Sequence, residues 1–215
     1  MLFLSFLAFY SVSAQTGSDL LITWHANNYT PTDFIGRAPS TNGNVVDVSV
    51  ELLLGKKIEN ISQATISWFV DGAFSNKGVG MKEFSFFVTK VGRSSHSVRA
   101  VVQTKTNKYE GLISVPVFNP IVTIENKYPQ GFVRSGEQAG FSVVPYFFNI
   151  SSPSEIISLW TINNERQENT RDVFLTLNIG SPKTPEQKNM VIESFVQNIK
   201  NKLEFAKDKI NLYIQ

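Results

Sequence analysis

The segment Ile66-Ser67-Trp68-Phe69-Val70-Asp71-Gly72 returns later in the chain as Leu159-Trp160-Thr161-Ile162-Asn163-Asn164, so that Trp68 and Trp160 stand 92 residues apart. Each copy places a tryptophan and a β-branched residue two apart, on one side of an extended segment. Each then ends in Asp-Gly or Asn-Asn, residue pairs that tolerate the positive φ angles of a tight hairpin turn. A core strand that runs into a hairpin, and does so twice, restricts the chain to a two-fold repeat of a β unit.

Three further pairs of segments keep the same register. Ala139-Gly140-Phe141-Ser142-Val143-Val144 answers Val46 to Glu51, Val173 to Leu177 answers Glu83 to Val88, and Val191 to Val196 answers Ser97 to Val102. With 215 residues, the chain holds two domains of about 100 residues, each large enough to bury its own core. The expected boundaries are 15–118 and 119–215. Other strands read from alternation are Leu20 to Ala26, Tyr109 to Phe118 and Ile121 to Ile124, with a Thr/Pro/Asn/Gly-rich loop from Asn27 to Asn44.

Composition agrees with an all-β chain. Phenylalanine is used 17 times, alongside many Val, Ile and Thr, which is the usage of half-buried pleated strands. Cysteine is absent, so no disulfide or thiolate metal site staples the fold, and each sandwich has to stand on apolar packing around its tryptophan. With 20 Lys and Arg against 18 Asp and Glu, the chain shows no electrostatic footprint for nucleic acid.

Both ends need separate reading. Met1 to Tyr10 is apolar, and small residues follow at Ser11, Ser13 and Ala14. Residues 1–14 therefore read as a secretory signal-like segment, too short to cross a bilayer, and export is the expectation. In the tail, Thr184-Pro185-Glu186-Gln187 has helix-start character, and Ile192, Phe195, Ile199, Leu203, Ala206 and Ile210 fall at three- and four-residue steps. The repeat argues instead for a strand over Met190 to Gln197, which leaves a short helical turn around Asn198 to Ala206 and a last strand at Ile210 to Ile214. At the junction, Val115-Pro116-Val117-Phe118-Asn119-Pro120-Ile121 has two prolines and no Gly-Ser spacer. That linker predicts an elongated arrangement of two immunoglobulin-like β-sandwiches.

The run of Trp-Phe-Val-Asp-Gly or Trp-Thr-Ile-Asn-Asn, then Phe-Ser-Phe-Phe-Val, then Val-Arg-Ala-Val-Val resembles tandem bacterial immunoglobulin-like or polycystic-kidney-disease-like domains of exported proteins. It also resembles two-domain exported proteins of small uncultured bacteria. The resemblance spans residues 20 to 215. It implies a fold and no chemistry, and the acidic calcium loops and sorting motifs of extracellular relatives are not found here.

The chemistry-bearing residues are sparse. His25 and His96 have no third ligand at metal spacing and read as surface or strand-edge residues. Asp71-Gly72 reads as a turn, Gly78-Val79-Gly80 lacks the Lys-Ser/Thr of a phosphate loop, and Ser94-Ser95-His96 reads as a turn without an oxyanion motif. No catalytic residue, cofactor or metal site is expected, nor any transmembrane span. Asn28-Tyr29-Thr30, Asn60-Ile61-Ser62 and Asn149-Ile150-Ser151 match the glycosylation pattern. The aromatic runs 84–87 and 146–148 cannot turn every ring inward, so Phe87 and one of Phe147 or Phe148 should lie outside the core.

Trp24, Tyr29, Phe87 and Tyr109 are the candidate exposed contacts. The function expected is that of a non-enzymatic exported or cell-surface module, acting as a spacer or binding another surface protein. The alternative is a carbohydrate-binding or accessory module of a secreted hydrolase, with Trp24, Tyr29 and Tyr109 as a glycan-stacking platform on one open face.

Overall fold

The computed structural model describes residues 20–55, 57–167 and 172–215. The signal-like segment expected at 1–14 lies outside the described residues. The chain divides into two compact units. The N-terminal unit is built from residues 20–28 and 36–119. The C-terminal unit takes Pro120–Gln215 together with Tyr29–Ile35.

In the N-terminal unit the strands are β1 (Leu20–Ala26), β2 (Ser40–Thr41), β3 (Val45–Leu54), β4 (Lys57–Glu59), β5 (Thr65–Val70), β6 (Ala73–Val79), β7 (Glu83–Phe87), β8 (Ser94–Gln103) and β9 (Lys108–Phe118). β3 pairs with β1 on one side and with β4 and β7 on the other. The second sheet has the order β2-β9-β8-β5-β6, with β2 parallel to β9. In the C-terminal unit follow β10 (Ile121–Asn126), β11 (Phe132–Val133), β12 (Gln138–Tyr146), β13 (Ile156–Ile162), β14 (Glu165–Arg166), β15 (Phe174–Asn178), β16 (Asn189–Asn198) and β17 (Phe205–Ile214). They form the sheets β10-β12-β15 and β11-β17-β16-β13-β14. The two units thus share one strand order, except that β4 has no counterpart among the described residues of the C-terminal unit.

Alternation explains both cores. In β3 the inward residues Val46, Val48, Val50 and Leu52 are buried, and in β8 so are His96, Val98, Ala100 and Val102. Trp68 closes this core from β5. It is fully buried, its ring stacks on Phe84 at 5.8 Å, and its Nε1–H donates to the Met81 carbonyl at 3.1 Å. Trp160 does the same in the C-terminal unit, where it donates to the Asp172 carbonyl at 2.9 Å. Across the ladder from the two tryptophans stand Ala100 and Ser194, small residues that leave room for an indole. The Ser194 hydroxyl is buried, and a 2.6 Å hydrogen bond with Ser158 satisfies it.

The hairpins form where the sequence allows positive φ. Asp71 and Gly72 have φ of 52° and 81°, and Asn163 and Asn164 have 49° and 68°, the signature of a two-residue type I′ turn. Gly80 combines both constraints, a φ of +67° and a backbone neighbour: a Cβ there would sit 2.6 Å from the Ser62 carbonyl oxygen.

The tail corrects one expectation. β16 and β17 form a hairpin, and no helical turn occupies 198–206. Asn198 N–H donates to the Glu204 carbonyl, and Glu204 N–H to that of Asn201. The 3₁₀ turn lies upstream, at Glu186–Lys188. The helix-like spacing arose because Ile192 faces the core while Phe195 faces out and stacks on Phe205 at 5.4 Å. Burial along β16 has a period of two.

Candidate functional site

Two features of the N-terminal unit combine chemistry with position, and both hang on the turn between β5 and β6. The first is internal. His96 is on the inward side of β8, only 2% exposed, with its Nδ1 2.7 Å from Asp71 Oδ2. Asp71 Oδ1 accepts from Lys90 Nζ at 2.7 Å and from the Ser97 amide at 3.0 Å, and Lys90 also donates to the Ser95 carbonyl. Burial alone would raise the Asp71 pKa, but the Lys90 ammonium, the Ser97 amide and His96 together pull it down to about 2. The His96 Nε2 is buried without a hydrogen-bond partner, and the ring meets Phe86 edge-on at 5.3 Å.

This corrects the reading of His96 as a surface residue and of Ser94-Ser95-His96 as a turn, since β8 begins at Ser94. Alternation with Val98, Ala100 and Val102 was the available signal, masked by the serines around it. The cluster ties the β5–β6 turn to the start of β8. It holds a carboxylate and an imidazole in direct contact.

The second feature faces outward. Residues paired across β6, β5, β8 and β9 form the row Phe74–Phe69–Arg99–Leu112 on the outside of the five-stranded sheet. Phe74 and Leu112 are 62% and 56% exposed. Phe69 meets Phe74 edge-on at 5.9 Å, and the Arg99 guanidinium lies 4.0 Å over the Phe69 ring. Arg99 Nη1 also donates to Glu110 Oε1 at 2.8 Å, and this pairing, first among the causes, holds the Glu110 carboxyl below its ordinary value. In the next rows stand Lys77, Ser67 and Val101, then Val79, Thr65 and Gln103. On the other sheet, Ser85, Asp47 and His25 lie side by side across β7, β3 and β1, with Asp47 accepting from both Ser85 and Asn27. That outer face also carries exposed apolar side chains, Leu21, Val45 and Phe87, but among the described residues no arginine is stacked on a ring there.

A β-bulge creates the aromatic row. The pairing of β5 with β6 shifts between Trp68 and Phe69, so that Ser75 is the extra residue and Phe74 comes opposite Phe69. Sequence reading missed β6 altogether, because Ala-Phe-Ser-Asn-Lys-Gly-Val lacks alternation and both its sides are exposed.

The four aromatic candidates are divided between the two units. Trp24 is half-buried against the N-terminal core, with Arg37 5.0 Å over its ring. Tyr109 also packs on that core. Tyr29 belongs to the C-terminal unit, where it packs on the core and exchanges backbone hydrogen bonds with Phe147 and Phe148. Phe87 is 59% exposed beside Val45, and Phe148 is buried while Phe147 is not, because β12 ends at Tyr146 and the positive φ of 64° at Phe147 breaks the alternation there. Trp24 and Tyr109 are thus partly buried against the core of the N-terminal unit, and Tyr29 against that of the C-terminal unit. Of the three glycosylation triplets, Asn28 and Asn149 commit their side-chain N–H groups to the Pro39 carbonyl and to Glu204, whereas Asn60 is exposed.

Among the described residues no group of His, Cys, Asp and Glu is arranged to hold a metal ion, and no helix is long and apolar enough to cross a membrane. In the C-terminal unit, a shallow depression of about 530 Å³ lies over β12, lined by Glu125, Lys127, Gly140, Phe174 and Thr176. Glycine at position 140 leaves open space where a side chain would stand.

No family model and no curated protein matches the chain. Among solved structures it is similar to the three N-terminal domains of the highly immunogenic outer capsid protein of bacteriophage RB49. The TM-score is 0.47 at 12% identity, over 91% of this chain and 59% of that one. It is also similar to fibronectin(III)-like modules of Clostridium thermocellum CbhA, with TM-score 0.33, 10% identity and coverage of 91% and 94%. A third is the mouse nectin-like molecule 4 ectodomain, with TM-score 0.34, 15% identity and coverage of 92% and 64%. The present chain thus spans less than two thirds of the capsid-protein fragment it matches. In strand order, in the parallel pairing of β2 with β9 and of β11 with β17, and in the buried tryptophan on β5 and β13, each unit is an immunoglobulin-like β-sandwich.

Proposed function

We propose that this protein is a non-enzymatic, exported or cell-surface module that binds another protein through the outer face of the five-stranded sheet of its N-terminal unit. The observation that carries the reading is the row Phe74–Phe69–Arg99–Leu112. Exposed aromatic side chains with an arginine stacked among them are the composition of interface hot spots. The guanidinium is already held by Phe69 and Glu110, so little side-chain freedom is lost when a partner covers it. The apolar start of the chain, Met1 to Tyr10, supports export.

The test is fractionation of cells that carry the gene, followed by surface cross-linking. The intact chain should be recovered outside the inner membrane, bound to a partner. A Phe74→Ser/Leu112→Ser variant should be released from that partner while keeping its thermal midpoint. Recovery in the cytosol, or undiminished cross-linking of the double variant, overturns the reading.

A further inference from the structure

β6 ends the five-stranded sheet of the N-terminal unit, and among the described residues no strand pairs with its outer side. It is seven residues long, has no proline and is exposed over nearly its whole length, the features of a sheet edge open to another strand. The backbone directions follow from one bond. Gly80 N–H donates to the Ala64 carbonyl at 2.9 Å, which makes that pair a hydrogen-bonded one. Counting back along an antiparallel ladder, Gly78 and Asn76 also turn their backbone groups toward β5, whereas Val79 and Lys77 turn theirs to the open side. The Lys77 amide is met there by its neighbour, since Asn76 Oδ1 accepts from Lys77 N–H at 2.8 Å. The edge is therefore guarded by a side chain that an incoming strand can displace, where a proline would be a permanent block.

We infer that β6 accepts an extended segment of a partner protein as an added strand, that this segment carries a carboxylate between two apolar residues, and that the Asn76 side chain regulates access to the edge. This inference rests on the interaction reading above and names the partner's chemistry. The charge on the page selects the occupant. On the outward face of β6, Lys77 stands between Phe74 and Val79, the latter 66% exposed. Arg99 is answered by Glu110, but among the described residues Lys77 has no ion pair. Opposite charges across a ladder stabilise it and like charges oppose it. A second copy pairing edge to edge brings two Lys77 ammoniums toward each other, so self-pairing is disfavoured, and an acidic residue flanked by apolar ones is the match. Main-chain bonds to Lys77 and Val79 supply affinity, and Phe74, Lys77 and Val79 read alternate side chains of the added strand.

The test is an NMR titration of the intact chain with the heptapeptide Thr-Val-Thr-Glu-Thr-Phe-Thr, and with the same peptide carrying Lys in place of Glu. Amide shifts should concentrate on residues 73–79, with the Glu peptide bound about two- to fivefold more tightly than the Lys peptide, as for an exposed ion pair. Lys77→Glu should reverse the order. Asn76→Ala should tighten binding of both peptides, and Lys77→Pro, which removes the outward N–H, should abolish it. Shifts centred on another edge, an unchanged order in Lys77→Glu, or weaker binding to Asn76→Ala overturn the inference. So does sedimentation showing that the chain alone dimerises and that Lys77→Pro keeps it monomeric, which would assign the edge to a second copy. If the peptides fail while Phe74→Ser/Leu112→Ser still releases the chain from its partner, the sheet face remains the binding surface and strand addition alone falls.

Discussion

Replacing Asp71 by asparagine removes one negative charge from the centre of the β5–β6 turn and leaves the backbone its conformation. Asparagine accepts a φ of 52° as readily as aspartate. In the wild type, the carboxyl moves from an ordinary value of 3.8 to about 2 on folding. At 1.36 kcal/mol for each tenfold change in proton affinity, that movement corresponds to about 2.4 kcal/mol before screening. The carboxylate side chain is 35% exposed, so solvent cuts the usable part to about 1 kcal/mol. A carboxyl whose folded pKa is depressed contributes stability that is full above its unfolded value and lost as pH falls through its folded one. Urea midpoints measured from pH 7 down to pH 2 should therefore show Asp71→Asn less stable than wild type by about 1 kcal/mol above pH 4, with the gap closing toward pH 2. Every other carboxylate cancels in the difference. A gap that stays constant down to pH 2, or none at neutral pH, refutes the assignment of Asp71 as the charge that Lys90, Ser97 and His96 jointly hold.

Other outcomes follow from the cores and from the buried carboxylate. Trp68→Ala or Trp160→Ala should cost about 3 to 5 kcal/mol in denaturant unfolding through lost transfer energy and the cavity left behind, and a loss below about 1 kcal/mol would contradict the core placement. Gly80→Ala meets both a positive φ and the Ser62 carbonyl at 2.6 Å, so it should lower stability by more than about 2 kcal/mol, read as a drop in thermal midpoint. Glu204 is buried, and that burial raises its pKa against the opposing bonds from Asn198 and Asn149. Its contribution is full below 4.5, the ordinary value, and is lost as pH rises through the elevated one. Glu204→Gln should flatten the fall in stability that wild type shows as pH rises above 4.5, a comparison made by thermal melts in matched buffers.

Much of the fold was legible because it obeys period two. Val48 and Val50, Val98 to Val102, and the paired tryptophans all sit where alternation puts them, and the Asp-Gly and Asn-Asn pairs form the turns their backbones favour. The tail misled because Ile192 and Phe195, three apart, lie on opposite sides of one strand. The site was harder to read for two physical reasons. An edge strand such as β6 buries little, so no hydrophobic pattern records it. The Asp71–His96 contact joins residues 25 positions apart, and only the register of β5 against β8 brings them together. Trp24, Tyr29 and Tyr109 were legible as aromatic but not as half-buried, since a ring looks the same in sequence whether it covers a core or leaves it.

The bulge at Ser75 makes the turn a mechanical coupling between the inside of the unit and its outside. With Ser67 held opposite Lys77, a two-residue turn is possible only if one residue of β6 is left unpaired. A regular ladder over the same residues would bring Phe74 opposite Val70, turn its ring to the inner side, and lengthen the turn to three residues. The conformation that places the Asp71 carboxylate against His96 is thus the one that keeps Phe74 beside Phe69. A substitution at Gly72 that a φ of 81° cannot accommodate would be felt both by a buried imidazole and by the aromatic row on the outside of the sheet.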